Sequence, residues 1–255
     1  MRPNKLKALW RQGKPAVAGW ISSGNTYITE TMAHSGYDAL IIDMQHGMGI
    51  THNQAALCLQ VISTTETVPI VRVAWNRPEY MQFALDAGAY GIIVPMVNSY
   101  QEAIQAVQAC MYPPDGFRSG GPNRARLYGG SDYVERANEE IICLVMIETV
   151  EAVEKLDEIA RVPGIDGFYV GPSDLALSMG LQPGPEASND PRHVEACQRV
   201  VDVATAHGLI PCHHGSGPEE ATRRFAEGFM MCQVGSDVNM VSAAARSAIE
   251  SVVRP

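Results

Sequence analysis

Residues 40–49, LIIDMQHGMG, pass within a few positions from branched apolar side chains to Asp43, Gln45 and His46, and then to glycines. Such an apolar run is covered on both faces, as in parallel sheets, so its polar end falls where the sheet meets solvent. His46 has the chemistry of a general base, because an unperturbed imidazole titrates near 6.5. It needs an acid to orient it, and Asp43 and Asp86, the latter in FALDAGAYG, are the candidates. The plainer alternative makes Asp43 a helix cap and His46 a loop residue.

Two further carboxylates end apolar runs. Glu148 closes LVMIE and Asp174 stands in YVGPSDLALSMG. Hard oxygen donors with open positions between them suit Mg2+ or Mn2+, with Co2+ and Zn2+ as further candidates. A 2-oxo acid can complete such a shell through its carboxylate and keto oxygens. Alternatively each carboxylate pairs with an arginine or caps a helix, and Glu148 precedes TVEAVEKL closely enough for that. In Gly171-Pro172-Ser173-Asp174 a Gly-Pro turn opens a helix and either leaves main-chain N–H groups near Ser173 and Asp174 free for the substrate carboxylate or is an ordinary helix start.

Arg72 lies between Val71 and Val73, so strand alternation turns it away from both, into the interior of a barrel. A buried guanidinium needs a partner: the keto oxygen of a substrate, Glu148 or Asp174. Lysine is scarce; Lys5, Lys7, Lys14 and Lys155 are all there are, and none falls at a predicted strand end. That argues against Schiff-base and pyridoxal chemistry, both of which anchor on a lysine.

These residues require elements that bring them to one edge. Apolar runs at 16–21, 39–43, 69–73, 91–95, 142–148, 166–171, 209–213 and 229–235 alternate with amphipathic stretches such as QEAIQAVQAC. Strands alternating with helices give a parallel sheet, and eight repeats in this length match a (β/α)8 TIM barrel formed by residues 1–255 as one domain. A doubly wound open sheet is the alternative, weakened by the lack of a G-x-G-x-x-G turn after the first strands. In a barrel the polar residues, with His213 and His214 after the seventh strand, all approach the carboxyl ends of strands, where barrel enzymes act.

With 46% hydrophobic residues and a net charge of −9, the chain reads as a soluble cytoplasmic protein with neither a membrane span nor a nucleic-acid surface. Six cysteines without a C-x-x-C pair read as reduced and structural.

The motifs LIIDMQHG, VRVAWNRPEYMQFALDAGAYGIIVPMVNSYQEA, YPPDGFRSGG, MIETVEAV and IDGFYVGPSDLALSMG, in this order, resemble those of the metal-dependent pyruvate aldolases of the HpcH/HpaI family, over residues 5 to 250. The resemblance implies a barrel of the phosphoenolpyruvate/pyruvate type, assembled as a homohexamer (a dimer of trimers) with its last helix exchanged between subunits. It implies a divalent metal on Glu148 and Asp174, Arg72 on the keto oxygen of pyruvate, and main chain at Ser173 and Asp174 on its carboxylate. It also implies His46 as base, served by Asp86 of a neighbouring subunit. The expected reaction is reversible aldol cleavage of a 4-hydroxy-2-oxo acid to pyruvate and an aldehyde through a metal-stabilised enolate. A citrate-lyase-type or malyl-CoA-type reaction on an acyl-CoA or phosphorylated substrate, or a catalytically silent barrel, are the alternatives.

The chain departs from the family pattern at Met146, where many members carry Gln, and at Gln45, where many carry Glu. The run CHHGSG after the seventh strand is more polar than in other members, and leaves His213 and His214 to reach the substrate, bind a metal or line the mouth. Arg118, Arg124 and Arg126 are candidates to recognise a polar or acidic aldehyde tail, or to lie solvated in a mobile loop.

Overall fold

A computed structural model describes residues 1–253; the last two residues of the expected 1–255 unit lie outside the described residues. Eight parallel strands close into a barrel in sequence order: β1 (Ala16–Ile21), β2 (Ala39–Asp43), β3 (Val68–Arg72), β4 (Gly91–Val94), β5 (Ile142–Ile147), β6 (Gly167–Val170), β7 (Ile210–His213) and β8 (Met231–Ser236). Helices fill every connection, which makes this a (β/α)8 barrel of the TIM type. The strands match the apolar runs to within two residues at either end. They were legible because a strand buried on both faces needs no polar alternation.

Two glycine turns show the physics of strand entry. Gly88 and Gly164 have φ of 104° and 84°, in the left-handed region that lets the chain leave a helix and turn into β4 and β6.

Register fixes what faces inward. Asp43 is paired with Arg72 and Arg72 with Ile93, while Met146, Tyr169 and Cys212 form a second row. The rings of Trp20 on β1 and Tyr169 on β6 approach to 6.2 Å across the interior. The opposite parity, including Val71, Ile92, Val145 and His213, lies buried beneath the helices.

The segment between β4 and β5 is largely helical and not one irregular loop. It carries helices Asn123–Gly129 and Tyr133–Glu140 and returns to the amino-terminal end of the barrel, where the Asn4 amide donates to the carbonyls of Tyr90 and Glu140. No helix among the described residues is long and apolar enough to cross a membrane. The six cysteines are free and buried, as expected of reduced structural thiols.

Candidate active site

A cavity of about 610 Å3 opens at the carboxyl ends of the strands, and Asp43, His46, Arg72, Met146, Ser173 and Asp174 are among the residues that line it. The barrel thus gathers most of the candidate residues on one face.

Asp43 and Arg72 end adjacent strands in direct register, and they form a two-point ion pair. Arg72 Nε donates to Asp43 Oδ1 at 3.0 Å and Nη2 to Oδ2 at 2.7 Å. Arg72 therefore faces inward as alternation requires, but its partner is neither Glu148 nor Asp174. Asp43 also accepts the main-chain N–H groups of Gln45 and His46 and the Trp20 indole N–H at 3.2 Å. Burial works against its charge, yet Arg72 and these donors hold the carboxyl below its ordinary value. Asp43 consequently shapes the turn that carries His46, an Asx turn, and does not contact the imidazole. This corrects one of the two orienting acids considered for His46. The His46 ring stands exposed at the cavity mouth.

Asp86, the other candidate, sits at the carboxyl end of helix Pro78–Asp86, which runs back down the barrel from β3 to β4. It thus lies at the amino-terminal end, away from its own chain's His46, and Arg118 Nη2 holds its Oδ1 at 2.8 Å. Arg118 is itself buried, with Tyr112 beneath its guanidinium at 4.5 Å. Arg124 donates to the Ala87 carbonyl and to Ser63 Oγ at that same end. Arg118 and Arg124 are therefore structural within their own barrel and reach no aldehyde in its mouth. The reason is topological, since a segment between a helix and the next strand lies at the amino-terminal end.

Glu148 follows the last residue of β5 and is 1% exposed. Its Oε1 accepts the Met96 N–H at 2.7 Å, whereas Oε2 is buried without a partner. Burial pushes its carboxyl up to about 7; the Met96 N–H and Arg72 pull against that shift, and the charge of Asp174 adds to it. Any side chain at Gly171 would overlap Glu148 Oε2, and its Cβ would come within 2.9 Å of Glu148 Cβ and Met146 Cε. Glycine there lets the β6 turn pass over the carboxylate. A buried carboxylate with an orphaned oxygen beside a second carboxylate is unfavourable unless a cation or a proton neutralises it. The donor set fits a hard divalent cation. Among the described residues no third His, Cys, Asp or Glu joins the group, so further positions would fall to water and substrate.

Asp174 lies in the first turn of helix Pro172–Ser178, whose N-cap is Gly171 and whose N1 residue is Pro172. No side chain caps this helix, and its first-turn N–H groups have no partner inside it. Met146 is almost fully buried and lines the cavity, where an amide would supply a hydrogen bond. Gln45 keeps its Oε1 buried and unpartnered.

The two imidazoles after Cys212 part company. His213 points outward, fully buried against Phe229 with ring centroids 5.1 Å apart, and cannot reach a substrate. Both its ring nitrogens lack partners, and burial drives it well below its usual titration range. His214 points inward and lines the cavity. Trp20, Gln233 and Asn239, which also line it, were not singled out from the sequence. The inward parity of Trp20, and a glutamine inside the apolar MCQVGS of β8, were the available signals.

A model of the family described as HpcH/HpaI aldolase/citrate lyase matches residues 17–244. The chain belongs to this family. Among curated HpcH/HpaI relatives, the hydroxypyruvate/pyruvate aldolase of Rhizorhabdus wittichii is 42% identical over 247 residues, 96% of this chain and 97% of that protein. The 4-hydroxy-2-oxo-heptane-1,7-dioate aldolase of Escherichia coli is 33% identical over 96% of this chain and 93% of that protein. The crystal structure of an HpcH/HpaI aldolase/citrate lyase family protein from Burkholderia cenocepacia J2315 superposes with a TM-score of 0.89 at 30% identity, covering 97% of this chain and 98% of that one.

Proposed function

We propose that this HpcH/HpaI protein catalyses reversible aldol cleavage of a 4-hydroxy-2-oxo acid to pyruvate and an aldehyde, as a divalent-metal-dependent lyase on a barrel of the phosphoenolpyruvate/pyruvate type. One observation carries the reading: Glu148 Oε2 is buried without a partner against Gly171, feels the charge of Asp174, and lies next to a cavity lined by Gly171, Asp174, Arg72 and His46. The relatives' names supply the reaction class.

Glu148 and Asp174 would hold Mg2+ or Mn2+. When bound, the cation supplies Lewis-acid stabilisation of the negative charge that develops on the keto oxygen of pyruvate. The other roles fall to the chain. Arg72 keeps donors free beyond the two that Asp43 engages, and directs them at the keto oxygen. The Gly171-Pro172 turn presents main-chain N–H groups of Ser173 and Asp174 to the carboxylate of the 2-oxo acid. His46, directly or through water, takes the 4-hydroxyl proton in cleavage and returns it in condensation.

Asp86 serves His46 from a neighbouring subunit in this reading, because within one chain the two occupy opposite ends of the barrel. Helix Asp237–Glu250 supports an oligomer. It exposes Val238, Val241 and Ile249 at 48%, 56% and 66%, an apolar surface suited to a second copy. We assign a hexamer of single-barrel subunits, a dimer of trimers, in the cytoplasm.

The test is exchange of pyruvate methyl protons with deuterated water in the presence of Mn2+. Exchange that disappears in Glu148→Ala supports the assignment; retained protons in the wild type defeat it.

A further inference from the structure

The polar run after β7 is unused by the proposed reaction, and its inward half has a defined setting. The His214 ring stands edge-on to Trp20, with centroids 4.5 Å apart and planes at 86°, and its Nδ1 lies 3.5 Å from the Tyr169 hydroxyl. Its main-chain N–H is held by the Val170 carbonyl at 3.1 Å. Two fixed aromatic neighbours and an anchored backbone leave the ring little freedom. Burial, followed by the nearby charge of Arg72, pushes the imidazole down to about 4, so it is neutral at physiological pH. A neutral imidazole offers one N–H donor and one nitrogen acceptor, the same pairing a hydroxyl group offers.

His214 also stands where two cavities meet. The cavity at the strand ends is continued by a second, of about 350 Å3, and the two share Ser173, His214, Gln233 and Asn239. Gly184, Ser188 and Asn189 form the outer wall of the second. The pair together far exceeds pyruvate, so there is room for the carbon chain of the other reactant.

Charge then selects the kind of chain. Among the residues lining either cavity the one cation is Arg72, and Asp43 already engages two of its donors. Asp43 and Asp174 are acidic. A second carboxylate, such as the one in the name of the Escherichia coli relative's substrate, would meet no free cation of this chain here. The uncharged polar groups of the lining, which include Ser22, Ser173, Ser188, Gln233, Asn239 and the neutral His214, suit hydroxyl groups.

We infer that the aldehyde partner is a small, uncharged, hydroxylated aldehyde whose hydroxyl chain extends from the pyruvate site into the second cavity, with His214 as the residue that reads it. The inference rests on the aldolase reading above and narrows its substrate. A site built to hydrogen-bond a hydroxyl discriminates strongly against an analogue that lacks it, because the buried polar group is then left unpaired.

The experiment compares kcat/KM for condensation of pyruvate with glyceraldehyde, butanal and succinic semialdehyde, with Mn2+ present. The wild type is expected to favour glyceraldehyde over each of the others by roughly tenfold or more. His214→Phe should collapse the glyceraldehyde-to-butanal ratio towards unity, and His214→Gln, which keeps a donor and an acceptor, should restore much of it. A purely structural His214 would lower both rates equally and leave the ratio intact, which overturns the inference. So does a wild type that prefers succinic semialdehyde. Deuterium exchange into pyruvate separates the two levels: exchange without hydroxyl preference removes this inference alone, whereas no exchange removes the aldolase reading and this inference with it.

Discussion

Asp43 and Arg72 meet end to end across β2 and β3, with both carboxylate oxygens committed to one guanidinium at 3.0 Å and 2.7 Å. Both side chains are nearly buried, at 4% and 8% exposure. Removing one member leaves the other charge stranded, which typically costs about 3–5 kcal/mol for a buried pair. Asp43→Ala is therefore expected to lower the thermal midpoint markedly and to release the turn that carries His46. Arg72→Lys keeps a charge but loses the planar fork. It should fold, with kcat reduced by about 100- to 1,000-fold, as for the loss of one oxyanion donor. Circular-dichroism melts and steady-state rates check both, and a fully active Arg72→Lys enzyme would remove Arg72 from the keto oxygen.

Glu148 gives a pH dependence whose sign is fixed. Its folded carboxyl is raised from 4.5 to about 7, chiefly by burial. A group raised on folding contributes stability that is fully present below its unfolded value and is lost as pH climbs through the folded one. In metal-free protein this loss, between about pH 4.5 and 7, amounts to about 3 kcal/mol by linkage. Glu148→Gln carries no charge to bury, so without metal at pH 8 it should melt several degrees above the wild type, and the difference should vanish near pH 4.5. A cation must displace the same proton, so Mn2+ affinity of the wild type should weaken roughly tenfold per unit below pH 7. Metal-free melts that coincide at pH 8 would show that Glu148 carries no unrelieved charge.

The two outcomes follow from different kinds of information. Alternation along β3 is enough to send Arg72 inward, and it also requires that His213 and His214 face opposite sides, a constraint the sequence carries without any structure. The partner of Arg72 is a matter of register between neighbouring strands, which spacing along the chain does not encode; Asp43 opposite Arg72 emerges only when the barrel closes. The same holds for Arg118, whose place depends on where the segment 111–141 folds. Eight apolar runs were readable because both faces of each strand are covered. The contributions of Gln233 and Asn239 were not, because a single polar residue at a strand end or helix start looks like an ordinary cap.

Gly171 offers a test of the proposed metal site that leaves both carboxylates in place. A Cβ there overlaps Glu148 Oε2 and crowds Met146 Cε, which can yield, and Glu148 Cβ, which is tied to the backbone. Gly171→Ala should therefore turn the Glu148 carboxylate aside and weaken Mn2+ binding by about 10- to 100-fold, the scale of losing the support of a metal ligand. Calorimetric titration measures this directly, with a thermal melt to establish that the variant is folded. Unchanged affinity in a folded variant would mean that Oε2 is not a ligand.

Subunit mixing tests the division of labour between His46 and Asp86. The two lie at opposite ends of one barrel, and Arg118 holds Asp86 Oδ1 while Oδ2 has no partner of its own in the Arg118 pair. In an oligomer in which Asp86 approaches the next subunit's mouth, His46→Ala and Asp86→Asn should each be nearly inactive alone, while both retain Mn2+ binding. Hybrids assembled from equal amounts of the two chains contain sites that draw His46 from one parent and Asp86 from the other. With random closed assembly about one site in four is intact, so about a quarter of wild-type turnover should return. Hybrids as inactive as their parents, in material shown by mass to be mixed, would place the groups that serve His46 within its own chain.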